Sequence, residues 1–323
     1  MAEPLEQEAC SQCRLPVRFL VPLLAVFAIG SAALMARVGL SSGMSAVSLS
    51  AWRLTIASAC LLAFRPLGSI RHGKGAPGGK LILAMLAGAF LGLHFIAWIG
   101  SLEYVSVARS TLLVSTAPLW AGLAGLFLPG LRPRGVFWIG LGLALLGSWA
   151  ITSRGVAWHD PRHAWIGDLL ALAGAVCLVP YLLISQHLQR SFGWLATISL
   201  IYAAAAVFVW AMALAAGTES VPTSWQAWGS VLGMALFAQL VGHSGLNWSL
   251  KHFSAGQVAL FTLLEPVFAG LLAWMAFGEP ITAWQGVGGA VLLAGVGVAL
   301  SGEAGFSGGS ESSALPESSN VGV

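Results

Sequence analysis

The sequence predicts an all-α polytopic membrane protein, its ten transmembrane helices arranged as two inverted five-helix repeats. Three observations carry that prediction. The 323-residue chain is 57% apolar and 8% charged, with a mean hydropathy of +0.84, whereas about a quarter of the residues in an ordinary soluble domain are charged. Ten apolar segments follow one another, each of about the length a helix needs to cross ~30 Å of hydrocarbon. One segment recurs later in the chain at a constant offset.

The segments lie near residues 17–36, 46–65, 81–101, 105–128, 135–152, 166–186, 194–216, 227–249, 253–276 and 284–301. None alternates with period two, so the strands of a barrel are not expected. No long polar stretch remains to build a soluble domain, and the net charge of +3 is too small and scattered to suggest a nucleic-acid partner. Residues 1–16, MAEPLEQEACSQCRLP, lack the basic, apolar, small-residue order of a cleaved secretory signal, so the first span is expected to stay as an anchor. Residues 303–323 are rich in Ser, Gly and Glu and are expected to be a disordered tail.

Charge in the loops gives an orientation. With the N-terminus cytoplasmic, Arg14, Arg18, Arg65, Arg71, Lys74, Lys80, Arg132, Arg134, Arg190 and Lys251 fall inside, against Arg37, Arg154 and Arg162 outside. Arg53 and Arg109 fall within spans. The expected order is a cytoplasmic tail (1–16), a first repeat (17–152), an external linker (153–165), a second repeat (166–302) and a cytoplasmic tail (303–323).

The repetition is direct. SLEYVSVARSTLLVSTAPLWAGL (101–123) lies without a gap on SLKHFSAGQVALFTLLEPVFAGL (249–271), pairing Ser106 with Ser254 and Pro118 with Pro266, an offset of 148. Five crossings per unit is odd, so the second unit enters the membrane upside down. Inverted repeats with sites near the midplane mark many secondary transporters.

These segments, with AWRL at 51–54 and WQGVGGAVLLAGVGVAL at 284–300, resemble the EamA-like family of the drug/metabolite transporter superfamily over residues 17–302. The resemblance implies both termini in the cytoplasm, a central cavity lined by the first four helices of each repeat, and peripheral fifth and tenth helices. It also implies export of amino acids or small metabolites. One departure is visible: the second repeat carries FGEP with Glu279, while the first has LPGLRP at 128–133 and no acid.

Candidate site residues are the polar groups that an apolar helix holds at a cost. Glu265 lies near the middle of its span, where an unpaired carboxylate costs at least several kcal/mol. It is expected to meet a proton or a substrate ammonium, or to pair with Arg53 or Arg109. Pro118 and Pro266 each remove a backbone donor and are expected to break their helices. Arg53 is placed to lock helices or to bind a substrate carboxylate, and Arg109 to snorkel from a helix end. His94 with Trp98, and His243 with Asn247, each share a helical face at i, i+4. Gln257, Ser115 and Tyr181 complete the candidates. Several of the 14 tryptophans, such as Trp158, Trp165, Trp225, Trp228 and Trp284, fall at span ends as interfacial anchors.

No phosphate loop, dinucleotide fingerprint or metal-ligand spacing is present, so no cofactor or metal is expected and an ATP-driven pump is disfavoured. Cys10 and Cys13 form a CxxC without further ligands. The expected partners are a small-molecule substrate, the lipid bilayer and protons; a homodimer stays open. The short loops suggest a bacterial inner membrane. Export of a small polar metabolite by alternating access is the leading expectation. Import or facilitation by the same fold, a non-transporting receptor or assembly protein, and an intramembrane enzyme are the alternatives.

Overall fold

The computed structural model describes residues 3–64, 77–128, 132–153, 162–218, 221–277 and 281–303. Arg65, Arg71, Lys74, Arg154, Trp158, Glu279 and the tail from 304 lie outside the described residues. Every described element is helical, and ten helical segments are long and apolar enough to cross a membrane. They match the ten apolar segments of the sequence, with ends that differ by a few residues; the sixth runs on to Phe192.

Six spans are single helices: α3 (Ala46–Phe64), α4 (Pro77–Ser101), α7 (Gly135–Thr152), α8 (Ala164–Phe192), α9 (Trp194–Ala216) and α14 (Ala283–Glu303). The other four are broken. The first is α1 (Glu3–Gly30) and α2 (Ala32–Ser41), interrupted at Ser31. The Ser31 hydroxyl there donates to the Ala28 carbonyl at 2.7 Å, the kind of Gly/Ser site at which helices kink. The eighth is α10 (Trp225–Gly233), a π-helix (Met234–His243) and α11 (Ser244–Ser249).

The fourth span is α5 (Val107–Val114) and α6 (Ala117–Phe127), and the ninth is α12 (Ala255–Thr262) and α13 (Glu265–Phe277). Their breaks coincide under the 148-residue offset, residue for residue. Each span begins on the repeated serine, Ser106 or Ser254, in extended conformation, whose hydroxyl accepts from the N–H three residues on. This N-cap satisfies one of the helix's orphan donors. Each breaks just before the repeated proline, which cannot donate to the preceding turn. The chain crosses both gaps by tightening to i→i+3 bonds, Thr116 to Leu113 at 3.1 Å and Leu264 to Phe261 at 3.0 Å.

Small residues let the spans approach. On α7, a Cβ added at Gly140 would stand 2.2 Å from the backbone nitrogen of Ala299, and one at Gly147 would stand 2.4 Å from that of Leu292 on α14. The reciprocal glycines Gly288 and Gly295 of α14 meet α7 in the same way. A Cβ at Gly88 of α4 would stand 2.7 Å from Ala204 Cβ and from the backbone nitrogen of Ala205 on α9. Without a hydrophobic force between helices in lipid, such contacts hold the bundle. The outer faces of α7 and α14 carry exposed Ile139, Leu146 and Leu293, surface that only hydrocarbon would solvate well.

Candidate functional site

The two broken spans bring the start of α13 to the middle of the bundle, and with it Glu265 in the first helical turn. Its side chain is 5% exposed, and among the described residues it has no hydrogen-bond or ion-pair partner. Glu265 lines a small cavity with Arg53, His94, Trp98, Ser115 and His243. Six of the ten candidate side chains therefore converge, from α3, α4, the α5–α6 break, the π-helix and α13. The cavity measures about 30 Å³, room for about two water molecules.

Arg53 is the dominant group. It is fully buried, and its guanidinium lies 3.8 Å from the centre of the Phe95 ring, a favourable cation–π distance. Nε donates to Gln239 Oε1 at 2.8 Å, while Nη1 and Nη2 have no partner. A buried guanidinium with two free nitrogens is an unfilled fork for a carboxylate. Arg53 and Glu265 face one space without pairing with each other.

The histidines differ in their fixing. His94 Nδ1 donates to the Gly174 carbonyl of α8 at 2.8 Å, which leaves Nε2 as the acceptor. The His243 ring stands edge-on to Phe95 at 4.9 Å and 6.0 Å from the His94 ring. The π-helix is what presents Gln239 and His243 together, and such insertions recur at functional sites. Trp98 Nε1 and Ser115 Oγ are buried without partners, adding a free donor and a free hydroxyl to the walls.

The remaining candidates have other places. Asn247 is buried and tied behind the cavity: its amide donates to the Tyr181 hydroxyl and, at 3.0 Å, to the His243 carbonyl, and its oxygen accepts from Ser185 at 2.5 Å. Tyr181 is thus a brace between α8 and α11. Gln257 closes a capping box with Ser254, whose N–H donates to Gln257 Oε1 at 2.9 Å. Arg109 is its repeat counterpart, yet its side chain forms a two-pronged ion pair with Asp168 of α8. Arg109 does not reach Glu265.

Sequence reading missed Asp168 and Gln239. Asp168 was legible as an acid within the sixth apolar segment, and Gln239 as an amide within the eighth.

The two ends of the bundle differ. At the end that holds Arg109, the ion pair joins the fourth and sixth spans, and Arg37 donates to the carbonyls of Leu102 and Val105 at 2.8 and 3.3 Å. At the opposite end, a vestibule of about 760 Å³ opens between α6, α8, the start of α12 and the end of α14.

Comparison with known proteins accords with this geometry. The sequence profile of the EamA-like transporter family matches residues 18–153 and again 165–301. The chain belongs to that family, and it is a multi-pass membrane transporter of two repeats. It is 28% identical over 269 residues to the uncharacterized transporter YetK of Bacillus subtilis, spanning 81% of this chain and 78% of YetK. It is 25% identical over 263 residues to YdfC of the same organism, spanning 80% and 83%. An uncharacterized transporter of Archaeoglobus fulgidus matches at 21% over 263 residues, spanning 80% and 89%. A solved crystal structure superposes with a TM-score of 0.71 over 90% of this chain and 98% of its own, at 20% identity, a likeness of fold.

Proposed function

We propose that this transporter exports a small zwitterionic metabolite, of the amino-acid kind, by alternating access of its two repeats. The observation that carries the reading is the pair of unpartnered groups on one cavity: the free Nη1 and Nη2 of Arg53 and the carboxyl of Glu265. A zwitterion offers a carboxylate to the first and an ammonium to the second, so each buried group gains the partner it lacks. Trp98 and Ser115 offer a further donor and hydroxyl to the substrate's polar groups. The basic side chains at the wide end would make that end cytoplasmic, and export is the direction that the family resemblance implies.

The cavity must widen to admit an amino acid, which rocking of the repeats about the breaks before Pro118 and Pro266 would supply. Coupling to protons would run through Glu265 or His243, which face the same space as the substrate. The expected location is a bacterial inner membrane with both termini cytoplasmic.

The test compares metabolites in medium and cytosol of cells making the wild type, Glu265→Gln or an empty vector. A zwitterion enriched outside with the wild type alone is expected. Flux in proteoliposomes that needs ATP and ignores every gradient would end the proposal.

A further inference from the structure

We infer that the basic vestibule is a second binding site, for a phosphate- or carboxylate-bearing anion, distinct from the central cavity. Its volume of about 760 Å³ is that of a small-molecule site, typically ~300–1,000 Å³. Arg132 and Arg134 enter from the segment before α7, Arg190 from the end of α8, and Lys251 and His252 from the turn between α11 and α12. The three acids whose side chains the structure describes, Glu103, Asp168 and Glu265, do not line it. The first turn of α12, residues 255–257, forms part of the wall and adds the positive end of a helix to the same space.

Positive charge is crowded there. Lys251 is lowered from its usual pKa by partial burial, and His252 is lowered by burial first and then by Lys251 and Arg18. An anion would neutralise the cations gathered around this hollow. Cations that merely meet headgroups spread along an interface, whereas these come from three separate segments around one hollow. A cleft lined with one sign of charge concentrates the opposite sign, and basic pockets between spans hold acidic headgroups. The same chemistry serves a soluble anion or an anionic lipid, and the experiment separates the two.

The full chain is placed in nanodiscs of phosphatidylcholine and titrated with citrate, read by tryptophan fluorescence, since Lys251 lies over the Trp194 and Trp248 rings at 5.2 and 5.9 Å. In parallel, phosphatidylglycerol retained on the extracted protein is measured by native mass spectrometry. Citrate binding that weakens about tenfold in Arg190→Gln/Lys251→Gln, survives Arg190→Lys/Lys251→Arg and is unchanged in Arg53→Gln assigns the site to a soluble anion. Retention of phosphatidylglycerol by the wild type and its loss in the glutamine double variant assigns it to lipid. Binding of neither probe, binding indifferent to the double variant, or citrate binding lost only in Arg53→Gln overturns the inference. Because the central proposal is read from Arg53 and Glu265, the two can fail separately.

Discussion

Gly140→Ala tests the packing of the fifth span on the tenth. The new methyl would stand 2.2 Å from Ala299 N, 2.6 Å from the Gly295 carbonyl oxygen and 2.7 Å from Ala299 Cα. All three are backbone atoms of α14, so no rotamer change relieves the clash. Restoring ordinary contact, which begins at 3.4 Å, moves the two helices apart by about 1 Å, and the other glycine contacts along α7 and α14 loosen with it. Overpacking of this kind costs about 1–3 kcal/mol, against the ~1 kcal/mol that alanine gains over glycine in a helix. The net loss is about 0–2 kcal/mol, so at roughly 2 °C per kcal/mol for a chain of this size thermal unfolding in detergent should fall by up to about 4 °C. Gly142→Ala is the internal control: its Cβ meets nothing within 4 Å, and it should hold or raise the midpoint. Equal midpoints for the two variants would refute the close approach of α7 and α14.

Arg53→Lys keeps a charge but loses the fork and the tie to Gln239; transport should fall at least about tenfold while the protein still purifies as a single species, and wild-type flux would make Arg53 a mere helix lock. Asp168→Asn removes the countercharge that joins the fourth and sixth spans. In a cysteine-free background, a maleimide should then reach Val105→Cys roughly fivefold faster, the equivalent of about 1 kcal/mol for a partly exposed ion pair; unchanged labelling would count against that pair as a closure. Ser254→Ala strips a full capping box and should cost about 1 kcal/mol, more than Ser106→Ala, since the latter leaves no Gln257 partner stranded. Thermal midpoints of the two alanine variants decide it.

Much of this architecture is written locally in the sequence. Hydropathy alone marks the ten spans, and the repeat marks the inversion. The likeness of 101–123 to 249–271 extends to backbone detail, because capping by Ser106 and Ser254 and breakage before Pro118 and Pro266 depend on single side chains and their own turns. The site is less local. Glu265 and Arg53 stand out from sequence as charges in oil, but that they share a cavity without pairing depends on where α3 meets α13. The π-helix carries no sequence signature; it accompanies the close approach of α1, where a Cβ at Gly242 would stand 2.6 Å from Ile29 Cγ1. Arg109 and Gln257 occupy equivalent positions and look alike as candidates, yet a partner 59 residues away in the chain separates a pair that bridges two spans from a helix cap.

Zwitterion transport through the Arg53–Glu265 cavity is tested most directly by uptake of an isotopically labelled amino-acid mixture into proteoliposomes, read by mass spectrometry for the wild type, Arg53→Gln and Glu265→Gln. The wild type should accumulate at least one zwitterion, and neither folded variant should. A wild type that moves none of the mixture, or two variants that both move the same compound at the wild-type rate, would contradict zwitterion binding between Arg53 and Glu265.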